Sequence, residues 1–175
     1  MTWNRANVEE SFRHIVEVCN KHNSLYLTLT FNRNYKDRLA VEQIIHLYHC
    51  FMVEVVRLSG MKASSVAHVG IFLSNNHEGK RIPHIHAIIY SSKSRRTGRT
   101  IAQIGKEKKE KLAQLWESIP HSNDLKFEEI FCAQGVLDYL TGYRNIKARY
   151  QEWFELPQFN ASLVKRKASN KQLDL

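Results

Sequence analysis

The sequence predicts an α+β domain in which an antiparallel sheet carries helices on one face. Three observations predict it. Leu25-Tyr-Leu-Thr-Leu-Thr-Phe31 alternates apolar and polar side chains and is rich in β-branched and aromatic residues, as a strand is. Residues 40–59 repeat apolar side chains at helical spacing and stop at Gly60. Two further strand-like runs, 66–73 and 83–90, flank the turn-forming Asn75-Asn-His-Glu-Gly-Lys80 and read as a hairpin.

Taken in order, Val8, Phe12, Ile15, Val16 and Cys19 predict an amphipathic helix over about 5–21. The strand 25–31 follows, then a polar stretch from Asn32 to Arg38. In the helix 40–59 the inward side is Ile44, Ile45, Tyr48, Phe51, Met52, Val55 and Val56. After the hairpin comes a basic loop, Ser91 to Thr100. A charged helix over 102–117 has Leu112, Leu115 and Trp116 on its buried side, a fourth strand spans 125–131, and a last helix spans 134–150. Between the flanking helices the order is β-α-β-β-α-β, the ferredoxin-like pattern, in which the first and third strands are central neighbours. The domain is expected to cover 1–155, and 156–175 reads as a basic, flexible tail.

Composition narrows the function classes. Lys and Arg number 26 against 17 Asp and Glu, a formal charge of +9 with a pI near 9.6. Such a surface favours a polyanionic partner through counterion release, although a basic soluble protein without one has the same composition. Cys19, Cys50 and Cys132 are odd in number, far apart and without a CxxC pair, against a disulfide framework or a thiolate zinc site. Neither a signal-peptide core nor the roughly 18 apolar residues of a membrane span occurs, so the expected compartment is the cytoplasm. No GxxxxGK[ST] loop occurs, so no fused helicase is expected.

Two constellations carry chemistry. In His84-Ile-His86 the strand period of two projects both imidazoles from one face, a spacing at which they can grip one divalent ion. For an isolated pair the plain alternative, one solvent-facing and one hydrogen-bonded core histidine, is the commoner case. Tyr139 and Tyr143 lie four apart on the last expected helix, with Lys147 extending the row and Arg144 beside it. A tyrosyl oxygen is a usable nucleophile for phosphoryl transfer when its developing charge is stabilised. The plain alternative is two aromatic side chains packing a helix on a sheet.

In this order the strand LTLTF, Pro83-His-Ile-His86 and Tyr139-Leu-Thr-Gly-Tyr143 resemble the motifs of the HUH superfamily of Rep-type rolling-circle replication initiators, found in small phages and plasmids. The likeness covers about 25–150, and the filamentous-phage type is the nearest in character. Two departures stand out. Gly142 occupies the place of a lysine found before the second tyrosine in part of the family, and the third metal ligand is not evident. Glu78 in the turn and His68 on the adjacent strand are the candidates, with Asn76 a weaker one.

The resemblance implies a site-specific endonuclease and strand transferase acting on single-stranded or hairpin DNA at a replication origin. Mg²⁺ or Mn²⁺ would be held by His84, His86 and Glu78 or His68. Tyr139 or Tyr143 would be the nucleophile, forming a 5′-phosphotyrosine, with Lys147 in support. Arg95, Arg96, Arg99 and Arg144, and the lysines 106, 108, 109 and 111, would bind phosphates; those lysines are equally a solvated helix face. A host helicase and polymerase would be partners. Rival readings are a transposase or mobilisation nuclease with the same chemistry, a non-catalytic ferredoxin-like nucleic-acid-binding module, and a structural zinc site.

Overall fold

The computed structural model describes residues 17–32, 40–75, 81–128 and 153–155. Their elements are β1 (Ser24–Phe31), α1 (Val41–Ser59), β2 (Val66–Asn75), β3 (Arg81–Ser91), α2 (Ile101–Glu107), α3 (Lys109–Glu117), β4 (Ser122–Glu128) and β5 (Trp153–Glu155). The strands form one antiparallel sheet in the order β4-β1-β3-β2-β5. This is an α+β architecture compatible with a ferredoxin-like arrangement, and β1 and β3 are indeed central neighbours. The expected N-terminal helix lies almost wholly outside the described residues, and the expected helix 134–150 and tail 156–175 lie wholly outside them.

The alternation read from the sequence decides what each sheet face does. Leu25, Leu27, Leu29 and Phe31 of β1 and Ile85, Ala87 and Ile89 of β3 share a core with Ile44, Tyr48, Phe51, Met52 and Val55 of α1 and with Leu112 and Trp116 of α3. Phe31 and Phe51 meet the Trp116 ring edge-on, with centroids 5.4 and 5.6 Å away, and Trp116 Nε1 donates to the Thr30 carbonyl at 3.0 Å. Burying an aromatic of this size contributes on the order of 2–3 kcal/mol, so Trp116 ties the helix layer to the strand that opens the sheet.

α1 begins where the Gln43 side chain accepts from the Ala40 N–H at 2.9 Å, and it ends at Gly60 in the left-handed region, φ 66°. The expected helix 102–117 divides at Lys108, whose backbone turns to φ −103°, ψ 26°. The bonds Lys108 N to Ile104 O and Leu112 N to Lys108 O persist, so the break is a kink within one hydrogen-bonded path. α2 packs through Ile101, Ala102, Ile104 and Gly105, and α3 through Leu112 and Trp116; the kink lets both stripes reach the sheet. The fourth strand, β4, starts at Ser122 and not at 125 as expected. Thr30 Oγ1 donates to the Asp124 carbonyl at 3.0 Å and accepts from the Asp124 N–H at 2.9 Å, so cross-strand pairing overrides the poor strand propensity of Ser122-Asn-Asp.

Candidate functional site

The face away from the helices is set by the same alternation. Tyr26, Thr28 and Thr30 of β1 and His84, His86 and Ile88 of β3 project from it, because residues opposed across a strand pair share a face. The register pairs Thr30 with His84 and Thr28 with His86. On the other side β2 sets Leu73 against His84 and Ile71 against His86. The register between β2 and β3 shifts between Leu73 and Asn75, a bulge that falls at Ile82-Pro83. A residue without an N–H suits such a place.

The two imidazoles are side by side and buried. Their centroids are 4.8 Å apart and the rings are nearly perpendicular, with exposures of 5 % for His84 and 4 % for His86. His84 Nδ1 lies 2.6 Å from the Ile82 carbonyl, an acceptor only, so Nδ1 carries the proton and Nε2 the lone pair. His86 Nδ1 lies 3.0 Å from Thr28 Oγ1 and 3.2 Å from the Tyr26 hydroxyl, and Thr28 Oγ1 lies 3.3 Å from Glu128 Oε1. Burial lowers the pKa of both rings. For His86, burial first and the neighbouring His84 second push it down to about 3. Both are therefore neutral imidazoles at neutral pH, the form that binds metal.

This donor chemistry fits a divalent ion with His84 and His86 as two of its ligands, each ring held from behind at Nδ1 as metal-bound histidines commonly are. Among the described residues no group of three or more His, Cys, Asp or Glu side chains is placed to hold a metal. His68, one of the two candidates for the third ligand, does not join the pair. It opposes Ile89 in the register and so faces the helices, where its Nδ1 lies 3.1 Å from the Tyr48 hydroxyl. A shift of one residue along β2 would have reversed its face; the hairpin register decides against it. Glu78 and Asn76 lie outside the described residues, as do Tyr139, Tyr143, Lys147 and Arg144.

Comparison with protein-family models, with curated proteins and with solved structures finds no match.

Among the described residues, Lys126 opposes Thr28 on the histidine face, while the arginine loop and the lysine run lie away from it. The loop holding Arg95, Arg96 and Arg99 leaves β3 at Ser91, about 23 Å from His84 at a strand rise of about 3.3 Å per residue. Arg99 is ion-paired with Glu107, while Arg95 and Arg96 are exposed. The lysine run belongs to the helix layer on the other side of the sheet. There Lys108 Nζ donates to the Leu58 carbonyl at 3.0 Å, Lys106 Nζ reaches the Lys21 carbonyl at 3.5 Å, and Lys109 lies 5.2 Å from the Phe127 ring centre. Any phosphates these lysines bind would therefore lie along the helix layer and away from the histidine face.

Sequence reasoning passed over four residues on the histidine face: Tyr26, Thr28, Glu128 and Lys126, the last opposite Thr28 in the register. The signal was the polar half of the LTLT alternation, which marks a second functional face of a central strand and not only a half-buried one.

Proposed function

We propose that the chain is a divalent-metal-dependent nuclease that nicks single-stranded DNA through a tyrosine nucleophile, as the resemblance to Rep-type HUH initiators implies. The observation that carries the reading is the pair of adjacent neutral imidazoles, His84 and His86, on one face of the central strand, each with its Nδ1 engaged by a neighbouring oxygen.

The tyrosine assignment rests on the resemblance. Residues 129–152, which hold Tyr139 and Tyr143, join β4 to β5, the two outer strands of the sheet.

In the proposed reaction His84 and His86 would hold a divalent ion through Nε2, and such an ion, when bound, would supply Lewis acidity to the scissile phosphate. The phenolic oxygen of Tyr139 or Tyr143 attacks phosphorus in line as its proton leaves. The P–O3′ bond breaks, the departing oxygen takes up a proton, and the products are a 5′-phosphotyrosine and a free 3′-hydroxyl. Since one phosphodiester replaces another, rejoining needs no nucleotide cofactor. A role in starting replication, with a host helicase and polymerase, belongs to the same proposal, and so does a cytoplasmic setting.

The test is a covalent adduct. Incubated with labelled single-stranded oligonucleotides and Mn²⁺, the protein is expected to give a band that survives denaturing electrophoresis. His84→Ala and His86→Ala should abolish it, and Tyr139→Phe and Tyr143→Phe should identify the nucleophile. DNA binding that is salt-dependent but never yields an adduct with any divalent ion would favour the non-catalytic binding module.

A further inference from the structure

We propose that Glu128 and Thr28 are positioning residues for His86, forming a relay that holds its ring as the Nδ1–H tautomer and so leaves Nε2 as the metal-binding nitrogen. The inference rests on the reading of His84 and His86 as metal ligands, and adds to it two residues from strands on the far side of β3.

The argument is one of proton accounting. Thr28 Oγ1 is 3.3 Å from Glu128 Oε1 and 3.0 Å from His86 Nδ1. A carboxylate only accepts, and a threonine hydroxyl has one proton. If that proton is given to Glu128, Thr28 faces His86 with lone pairs alone and can only accept. The bond between Thr28 and His86 then requires the proton to sit on Nδ1. The Tyr26 hydroxyl, 3.2 Å from the same nitrogen, is ambivalent: it can accept from Nδ1–H or donate to a bare Nδ1. Without the carboxylate behind Thr28 both hydroxyls could donate, and the proton could move to Nε2, which would block the ligand position. His84 needs no such device, since its Nδ1 faces the Ile82 carbonyl, an obligate acceptor.

The geometry also explains why the relay spans three strands. Glu128 opposes Tyr26, and Thr28 opposes both His86 and Lys126, so β4, β1 and β3 each contribute one member on the same face. His86 thereby acquires the arrangement of a carboxylate acting on an imidazole, here through an intervening hydroxyl.

The test uses the full ¹⁵N-labelled chain, with long-range ¹H–¹⁵N spectra of the imidazoles to read the tautomer and calorimetry with Mn²⁺ to read affinity. Wild-type His86 should be the Nδ1–H form. Thr28→Val should populate the Nε2–H form and weaken Mn²⁺ binding by about 10–100-fold, the range for loss of a partner behind a ligand. Thr28→Ser should restore both. Glu128→Gln, at an exposed position that leaves the fold undisturbed, should shift the tautomer in the same direction by less and weaken Mn²⁺ several-fold. Wild-type tautomer and affinity in both Thr28→Val and Glu128→Gln overturn the relay; should Thr28→Val fail to fold, Glu128→Gln alone decides. If wild type binds no Mn²⁺ but the tautomer responds as described, the relay stands and the metal reading falls.

Discussion

His68 and His86 are both buried imidazoles, on opposite faces of one sheet, and their surroundings give them different consequences. His68 lies in the core beneath α1, beside Tyr48, with its pKa pushed down to about 4 by burial and, secondarily, by His49. In the unfolded chain the group takes its proton near pH 6.5, while in the native state it stays neutral until about pH 4. The unfolded state therefore binds more protons between those values. The stabilisation is fully present above pH 6.5 and is lost as pH falls towards 4, to a total of about 3 kcal/mol. Urea midpoints should fall across this window, and His68→Gln should flatten the acid limb relative to wild type. An unchanged limb would place the acid sensitivity elsewhere. Tyr48→Phe removes the bond to His68 without opening a cavity and should cost about 1–2 kcal/mol at neutral pH, read from the same denaturation curves.

At the scale of elements, α2 approaches β1 closely at Gly105. A Cβ placed on Gly105 would lie 2.9 Å from Leu25 Cδ2 and 3.2 Å from Leu25 Cγ, and Leu25 is itself buried. Alanine gains about 1 kcal/mol in helix propensity over glycine, but overpacking costs about 1–3 kcal/mol, and here the leucine has little room to give. Gly105→Ala should lower stability by about 1 kcal/mol, and a raised thermal midpoint would show that the helix can move outward. The start of α2 is fastened separately. Thr100 Oγ1 accepts from the Gln103 N–H and donates to the His22 carbonyl, and Gln103 Oε1 accepts from the Thr100 N–H. Thr100→Ala should cost about 1–2 kcal/mol and loosen the link between this helix and the entry to β1.

For the whole molecule, the distance of the arginine loop from the histidines is the feature with consequences for binding. The arginine loop stands at the end of the sheet opposite His84, so under the proposed function it would hold flanking nucleotides and not the scissile phosphate. Arg95→Ala combined with Arg96→Ala should reduce the slope of log affinity for single-stranded DNA against log salt by about 1–2, at roughly 0.7 per lost phosphate contact, and leave the cleavage position unchanged. A shifted cleavage position would mean that the loop selects the site. No described helix is long and apolar enough to cross a membrane.

Periodicity by itself determined the faces of the strands, the inward side of α1, its stop at Gly60 and the projection of His84 and His86 from one side of β3, because each depends only on the geometry of a residue and its near neighbours in sequence. The start of β4, the kink at Lys108, the exclusion of His68 and the partnership of His86 with Thr28 and Glu128 were decided by tertiary structure. The kink follows from packing both helix stripes on the sheet; the other three turn on which residue stands opposite which across strands distant in sequence, a register set by tertiary pairing rather than by local spacing.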